Sequence, residues 1–189
     1  MERFDIVDEN GQPTGKTVSR DKAHSDGILH RTAHVWVLRQ HDGHAQVLLQ
    51  RRSECKDSFP GMFDTSSAGH VPAGDEPQES ALRELKEELG ISAVPADLAF
   101  AGTFRIQYEE VFHDSVFRDN EVTYVYVYRR PVSISSLTLQ ESEVSEVRWF
   151  DIEEVWEEIQ TNRTRFCVAP EGLAVLRDYL DIGHNNRGD

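Results

Sequence analysis

The chain has 189 residues, 38% of them hydrophobic and 29% charged, which suits one globular domain able to bury a core without disulfide or metal staples. Acids outnumber bases 34 to 20, a formal charge of −14, so long-range repulsion disfavours binding to duplex nucleic acid or anionic membranes. No apolar run approaches the roughly 20 residues that cross a bilayer, the start Met1-Glu2-Arg3-Phe4 lacks a signal-peptide pattern, and Cys55 and Cys167 form no CxxC. A cytoplasmic location is therefore expected. For the same reason the sequon Asn162-Arg163-Thr164 and the terminal Arg187-Gly188-Asp189 receive no role.

Phe4 to Val7 and Thr14 to Ser19 read as an N-terminal hairpin around the turn Asp8-Glu9-Asn10-Gly11. Asp21 to Leu29 is polar and reads as a loop or short helix. Thr32 to Leu38 and Ala45 to Gln50 form a second hairpin, buried if the apolar run Val35-Trp36-Val37-Leu38 faces a core on both sides. Met62 to Ser67 is expected as one short strand after the break at Pro60-Gly61. Pro77 to Leu89 carries the strongest helix signals: Pro at the first position, Asp75 and Glu76 at the positive dipole end, and Gly90 as the stop. Leu98 to Gln107, Val122 to Arg130 and Glu146 to Phe150 read as strands. The second of these alternates, with Tyr124, Tyr126 and Tyr128 on one face and Val125 and Val127 on the other. Asp151 is expected to cap an acidic helix with Glu154 as capping-box partner, and Glu171 to Leu180 forms a last amphipathic helix. Elements interleave without regular βαβ alternation, so a mixed sheet flanked by helices is predicted.

On the helix from Pro77, Glu84, Glu87 and Glu88 stand at i, i+3 and i+4, within an arc of about 100°. Such a cluster is an ordinary solvated acidic face unless a divalent cation, which prefers hard oxygen ligands, reverses the repulsion. Before the helix runs the loop Gly69-His70-Val71-Pro72-Ala73-Gly74-Asp75, and Arg83-Glu84-Leu85-Lys86-Glu87-Glu88-Leu89-Gly90-Ile91 closes the segment. From Gly69 to Ile91 the sequence resembles the Nudix hydrolase signature G-x5-E-x7-R-E-U-x-E-E-x-G-U, with one departure: Asp75 stands where the signature has its first Glu. That keeps the charge, shortens the reach by a methylene, and puts the positioning of the loop in question.

The resemblance implies an α/β Nudix-type α/β/α sandwich with a mixed β-sheet and an N-terminal β-hairpin extension. Residues 1–30 would be an N-terminal extension packed on the domain, 31–182 the Nudix hydrolase domain and 183–189 a flexible tail. It implies Mg²⁺ or Mn²⁺ as cofactor, with Gly69 (through its carbonyl), Glu84, Glu87 and Glu88 as metal ligands. Arg83 would orient the carboxylates, and Glu88 or Glu121 would be the general base. Dimers are common in the family, so a homodimer stays open. The reaction implied is hydrolysis of a diphosphate bond in a small molecule X-diphosphate, with X of nucleoside or prenyl type.

Beyond the signature, the region with His24, His30 and Arg51 to Gly61 resembles isopentenyl-diphosphate isomerase, as does Asp119-Asn120-Glu121-Val122. By that resemblance His24, His30, His70, Asp119 and Glu121 are candidates for an additional metal site. The isomerase needs a cysteine immediately before its Gly-His pair, and this chain has Ala68, which cannot perform acid–base chemistry. Isomerisation by that route is excluded, and an isomerase-like activity remains only as a rival to hydrolysis. A non-catalytic nucleotide-sensing module is the other rival, although it would be marked by loss of a metal-binding glutamate, and Glu84, Glu87 and Glu88 are all kept. Arg51, Arg52 and Lys56 are a local basic group, either surface charge or a grip on the diphosphate. Phe112, Phe117 and the tyrosine face are candidates to contact X.

The negative charge is concentrated. Asp75 to Glu88 holds six acids against Arg83 and Lys86, and Glu141 to Glu158 holds eight against Arg148 alone. The second stretch has no metal-ligand pattern and is expected to face solvent.

Overall fold

The computed structural model describes residues 2–56, 58–112, 115–161 and 164–185. Asp57, His113, Asn162-Arg163 and Arg187-Gly188-Asp189 lie outside the described residues. The chain opens with an antiparallel hairpin, β1 (Arg3–Val7) and β2 (Pro13–Ser19), whose turn is closed by the Asp8 carboxylate accepting the amides of Asn10 and Gln12, both at 2.9 Å. A short helix α1 (Arg20–Asp26) leads to β3 (His30–His41) and β4 (His44–Arg52). Then come β5 (Phe63–Asp64), β6 (Ser67–His70) and helix α2 (Pro77–Leu89). Long strands β7 (Leu98–Phe112) and β8 (Ser115–Tyr128) precede β9 (Val144–Asp151), α3 (Ile152–Thr161) and α4 (Pro170–Asn185).

Seven strands form one sheet in the order β5-β4-β3-β8-β7, with β6 added to β3 and β9 to β4. β3 and β8 run parallel and the other pairs antiparallel, so the sheet is mixed as expected. The alternation of β8 divides the core. Tyr126 and Tyr128 pack with Ala81, Leu85 and Leu89 of α2, while Val125 and Val127 pack with Val155 of α3 and Leu173 and Leu176 of α4. An α/β/α sandwich results. Leu85 and Leu89 are fully buried, so truncating either to alanine costs about 2–5 kcal/mol and loosens the helix that carries the acidic cluster. The helix stops where the sequence says: Gly90 takes a left-handed conformation (φ 71°) with the Thr138 backbone amide only 3.0 Å from where a Cβ would sit. Among the described residues, no helix is long and apolar enough to cross a membrane.

Four expectations are corrected. Met62 to Ser67 is not one strand but the separate β5 and β6. The Asp64 carboxylate accepts the Thr65 amide (2.7 Å) and the Ser66 hydroxyl accepts the Val37 amide (2.8 Å), which turns the chain between them. β7 and β8 run well past the predicted Gln107 and begin well before Val122, because they pair with each other out to Phe112 and Ser115. Asp151 does accept the Glu153 amide at 3.0 Å, but Glu154 bonds Arg165 (2.9 Å) rather than completing a capping box. Finally, α4 continues to Asn185, into the segment expected to be tail.

Candidate metal centre and active site

The parallel pairing of β3 and β8 sets His30 directly beside Glu121, and the antiparallel pairing of β6 sets His70 beside Thr32. Helix α1 brings His24 to the same place. Among the described residues, His, Cys, Asp and Glu side chains converge in threes, with ligand atoms within 4.8 Å of one another, at His24–His30–His70 and at His30–Asp119–Glu121. The two groups share His30 and form one centre of three imidazoles and two carboxylates.

Its geometry is that of donors facing one point. His30 Nε2 and His70 Nε2 each stand 3.6 Å from Glu121 Oε1, and His24 Nδ1 stands 3.6 Å from Asp119 Oδ1. These separations are too long for good hydrogen bonds, and metal–ligand bonds of about 2.0–2.2 Å would put neighbouring ligand atoms about 3 Å apart or somewhat more. His24 Nδ1, His30 Nε2 and Asp119 Oδ1 are buried with no hydrogen-bond partner, a costly state for polar atoms. His30 Nδ1–H donates to the Ile28 carbonyl (2.8 Å), which leaves Nε2 with its lone pair turned to Glu121. Burial, with His30 nearby, lowers the pKa of His24 to about 4, and burial likewise takes His70 well below the usual range. Neutral imidazoles are the form that binds metal.

The two carboxylates divide their roles. Burial would raise Glu121, but His30, His70 and His34 outweigh it and hold this carboxyl below its ordinary range. The Thr32 hydroxyl also donates to it at 2.9 Å. Asp119 is pushed well up by burial and by ionised Glu121 beside it, so in the metal-free protein the pair carries one proton. The donor set of nitrogen and oxygen fits a divalent transition ion such as Mn²⁺ or Zn²⁺.

The α2 glutamates share a helix face but do not converge to the same distance. Glu84 and Glu88 take different donors. Glu84 Oε1 accepts from Arg83 at 2.9 Å, and Arg83 also reaches Asp75 Oδ2 and the His70 carbonyl, both at 3.3 Å. Glu88 turns inward, is 5% exposed, and accepts from the Ala68 amide (3.1 Å) and Gln50 (3.3 Å). Burial pushes its carboxyl up to about 8, and Glu84 is raised by burial too. Glu87 is exposed. Gly69 lies over Glu84 so closely that a Cβ would fall 2.3 Å from the Glu84 carboxyl carbon, so a side chain there would displace the Glu84 carboxylate. Hard oxygens from Glu84, Glu87, Glu88 and the Gly69 carbonyl can hold Mg²⁺ or Mn²⁺.

The basic group does not act as one cluster, because its members take different partners. Arg51 donates to the Gly61 carbonyl (2.8 Å) and faces Glu54 and Glu146, and Lys56 is paired with Glu143. Only Arg52 turns toward the site: it bonds Asp64 (3.1 Å) and Ser58, and lies within electrostatic reach of Tyr108. Tyr108 stands beside Asp119 and, with Phe59, Phe112 and Phe117, forms an aromatic wall of ring centroids 5.4–6.3 Å apart. Phe117 stacks on His24 at 4.4 Å, which joins the wall to the imidazoles.

Sequence reasoning missed Tyr108, Thr32, Gln50 and Phe4. Phe4 is fully buried and stacks on both His30 (4.8 Å) and His70 (4.5 Å). No local pattern marks it, because its partners lie on two other strands.

A sequence-family model described as NUDIX domain matches residues 28–169. Among curated proteins, Nudix hydrolase 3 of Arabidopsis thaliana is 43% identical over 155 residues, which is 81% of this chain but only 20% of that protein. An uncharacterized Nudix hydrolase of Clostridium acetobutylicum is 39% identical over 154 residues, 82% of this chain and 72% of its own length. Among solved structures, DR0079 from Deinococcus radiodurans aligns with a TM-score of 0.69 at 22% identity, over 93% of this chain and 98% of that one. The NUDIX domain of Shewanella oneidensis NrtR, complexed with ADP ribose, aligns with a TM-score of 0.56 at 17% identity, over 86% and 99%. At those identities the likeness is one of fold.

Proposed function

The chain belongs to the Nudix hydrolase family, whose activity is hydrolysis of pyrophosphate bonds in phosphorus-containing anhydrides, and from that premise we propose a specific reading. The protein is a hydrolase dependent on Mg²⁺ or Mn²⁺ that cuts the diphosphate bond of a small X-diphosphate, with X of nucleoside or prenyl type. One observation carries it: the loop from Gly69 and the helix with Glu84, Glu87 and Glu88 present hard oxygens with Arg83 bound to the first of them. A divalent cation there neutralises phosphate charge and lowers the pKa of water.

The chain's own residues supply the rest. Arg83 holds Glu84 and the His70 carbonyl, which fixes the strand end against the helix. Arg52, bonded to Asp64 and Ser58 and within electrostatic reach of Tyr108, is the member of the basic group placed to meet a phosphate. Glu88, held at the strand end by Ala68 and Gln50, and Glu121, set among the histidines, are the two candidates for general base. The aromatic wall of Phe59, Tyr108, Phe112 and Phe117 is placed to contact X.

The histidine–carboxylate centre favours a second reading, that the chain stands in the isomerase-like branch and holds a transition metal at His24, His30, His70, Asp119 and Glu121. Ala68, opposite His34 in the sheet register, carries no thiol for the isomerase chemistry. A panel of ADP-ribose, diadenosine polyphosphates, isopentenyl diphosphate and geranyl diphosphate, incubated with Mg²⁺ or Mn²⁺, tests the reading by released phosphate or monophosphate. Double-bond migration in isopentenyl diphosphate tests the rival. If no compound turns over but a nucleotide raises the melting temperature, the chain is a sensing module.

A further inference from the structure

The loop from Gly69 to Asp75 must be held in place, because it carries His70 toward the imidazole centre and lays Gly69 over Glu84. Its anchor at the helix end is slack: Asp75 reaches Arg83 at only 3.3 Å. Its other anchor comes from the N-terminal strand. Phe4 bridges to Pro72, and the Ala73 amide donates to the Arg3 carbonyl at 2.8 Å, so β1 lies along the loop as an extra strand.

Between them, Asp5 makes the charged contacts. Its Oδ2 accepts the Gly74 amide at 2.9 Å and the Arg31 guanidinium at 3.0 Å. Arg31 is 5% exposed and donates to the Asp75 carbonyl as well, at 3.1 Å, while its own carbonyl accepts the Val71 amide at 3.0 Å. Arg31 is also the neighbour of His30 on β3. The carboxylate of Asp5 thus ties two points of the loop, Gly74 directly and Asp75 through Arg31, to the strand that carries a central imidazole. A buried guanidinium needs an anion, and charge-assisted bonds are roughly twice as strong as neutral ones.

We infer that Asp5 is a positioning residue of the site: through Gly74 and Arg31 it fixes the loop that presents Gly69 and His70, and it does the work that the short side chain of Asp75 leaves undone. The inference rests on the proposed function for its meaning but not for its test. If it is correct, the two anchors are interchangeable. A longer acid at 75 brings the carboxylate closer to Arg83 and relieves the demand on Asp5.

The experiment compares wild type, Asp5→Asn, Asp75→Glu and the double variant by amide hydrogen exchange over residues 69–75. Asp5→Asn keeps the shape and removes the charge, and a parallel Asp5→Ala/Arg31→Met chain removes the ion pair as a unit, so that an unpaired buried cation does not unfold the protein. Exchange at Gly74 and its neighbours is expected to rise at least about tenfold in Asp5→Asn. Asp75→Glu is expected to change little alone and to return most of that protection in the double variant. Unchanged exchange in Asp5→Asn, or no return in the double variant, overturns the inference. Where a panel compound turns over, kcat is expected to fall by about ten- to a hundredfold with KM nearly unchanged, and to recover in the double variant. A fall in KM alone, or no recovery, contradicts positioning. Loss of all turnover in wild type would sink the hydrolase reading and leave the exchange result to decide the role of Asp5.

Discussion

Two stretches of the chain are acid-rich, and they behave differently. In Glu141 to Glu158 the carboxylates lie at the surface and find arginines or lysine: Glu153 with Arg177, Glu154 and Glu158 with Arg165, Glu146 with Arg148, Glu143 with Lys56. In Asp75 to Glu88 one carboxylate is nearly fully buried, a second is packed under a glycine, and their proton affinities are raised by burial. Charge density alone does not separate these stretches, and the first would win on that measure. What separates them is that one acidic face is turned onto a strand end and a loop, so that its repulsion is stored rather than dissipated in water. Exposed ion pairs contribute about 0–1 kcal/mol each, whereas buried acids change pKa, stability and ligand affinity together.

The contrast makes graded predictions. Glu84→Gln removes a carboxylate from the buried stretch and is expected to lower turnover by about a hundredfold or more, measured as initial rate on any panel compound that is cut. His30→Ala, in the neighbouring centre, is expected to weaken binding of Mn²⁺ or Zn²⁺ by more than about tenfold, read by calorimetry on metal-stripped protein. The third prediction concerns pH. Glu88 titrates at about 8 folded against an ordinary 4.5, so across that interval the folded metal-free chain keeps a proton that the unfolded chain has released. Stability of the metal-free protein therefore falls as pH rises from 4.5 through about 8. Glu88→Gln lacks this fall and gains on wild type by up to a few kcal/mol at the upper end, as measured by urea melts at several pH values. Smallest is the effect of Glu153→Gln with Glu157→Gln in the exposed stretch: stability within about 1 kcal/mol and turnover unchanged.

Much of this was legible in the sequence, and for stated reasons. Helix α2 has its start, buried stripe and stop written in local residues, and the strands of β8 declare two cores by simple alternation. The spacing of Glu84, Glu87 and Glu88 marks that helix face in the sequence alone. The histidine centre was visible only through resemblance, since its members span His24 to Glu121 and are united by sheet register, which no local pattern encodes. Two things were not legible at all. Arg51, Arg52 and Lys56 each take different partners, which dissolves the basic group that sequence proximity suggested. The N-terminal extension is expected to pack on the domain, but the contacts of Phe4 with two imidazoles and of Asp5 with the loop are not legible, because they depend on how a hairpin docks rather than on its own sequence.

The central claim is that the loop–helix glutamates are the working part of a metal-dependent hydrolase. Wild type and Glu87→Gln/Glu88→Gln should be assayed side by side with Mg²⁺ on the panel compounds, with a thermal melt of each. The account predicts cleavage of at least one diphosphate by wild type, loss of at least about a thousandfold in the double variant, and a metal-free melting temperature in the double variant no lower than that of wild type. Turnover retained in the double variant would contradict it.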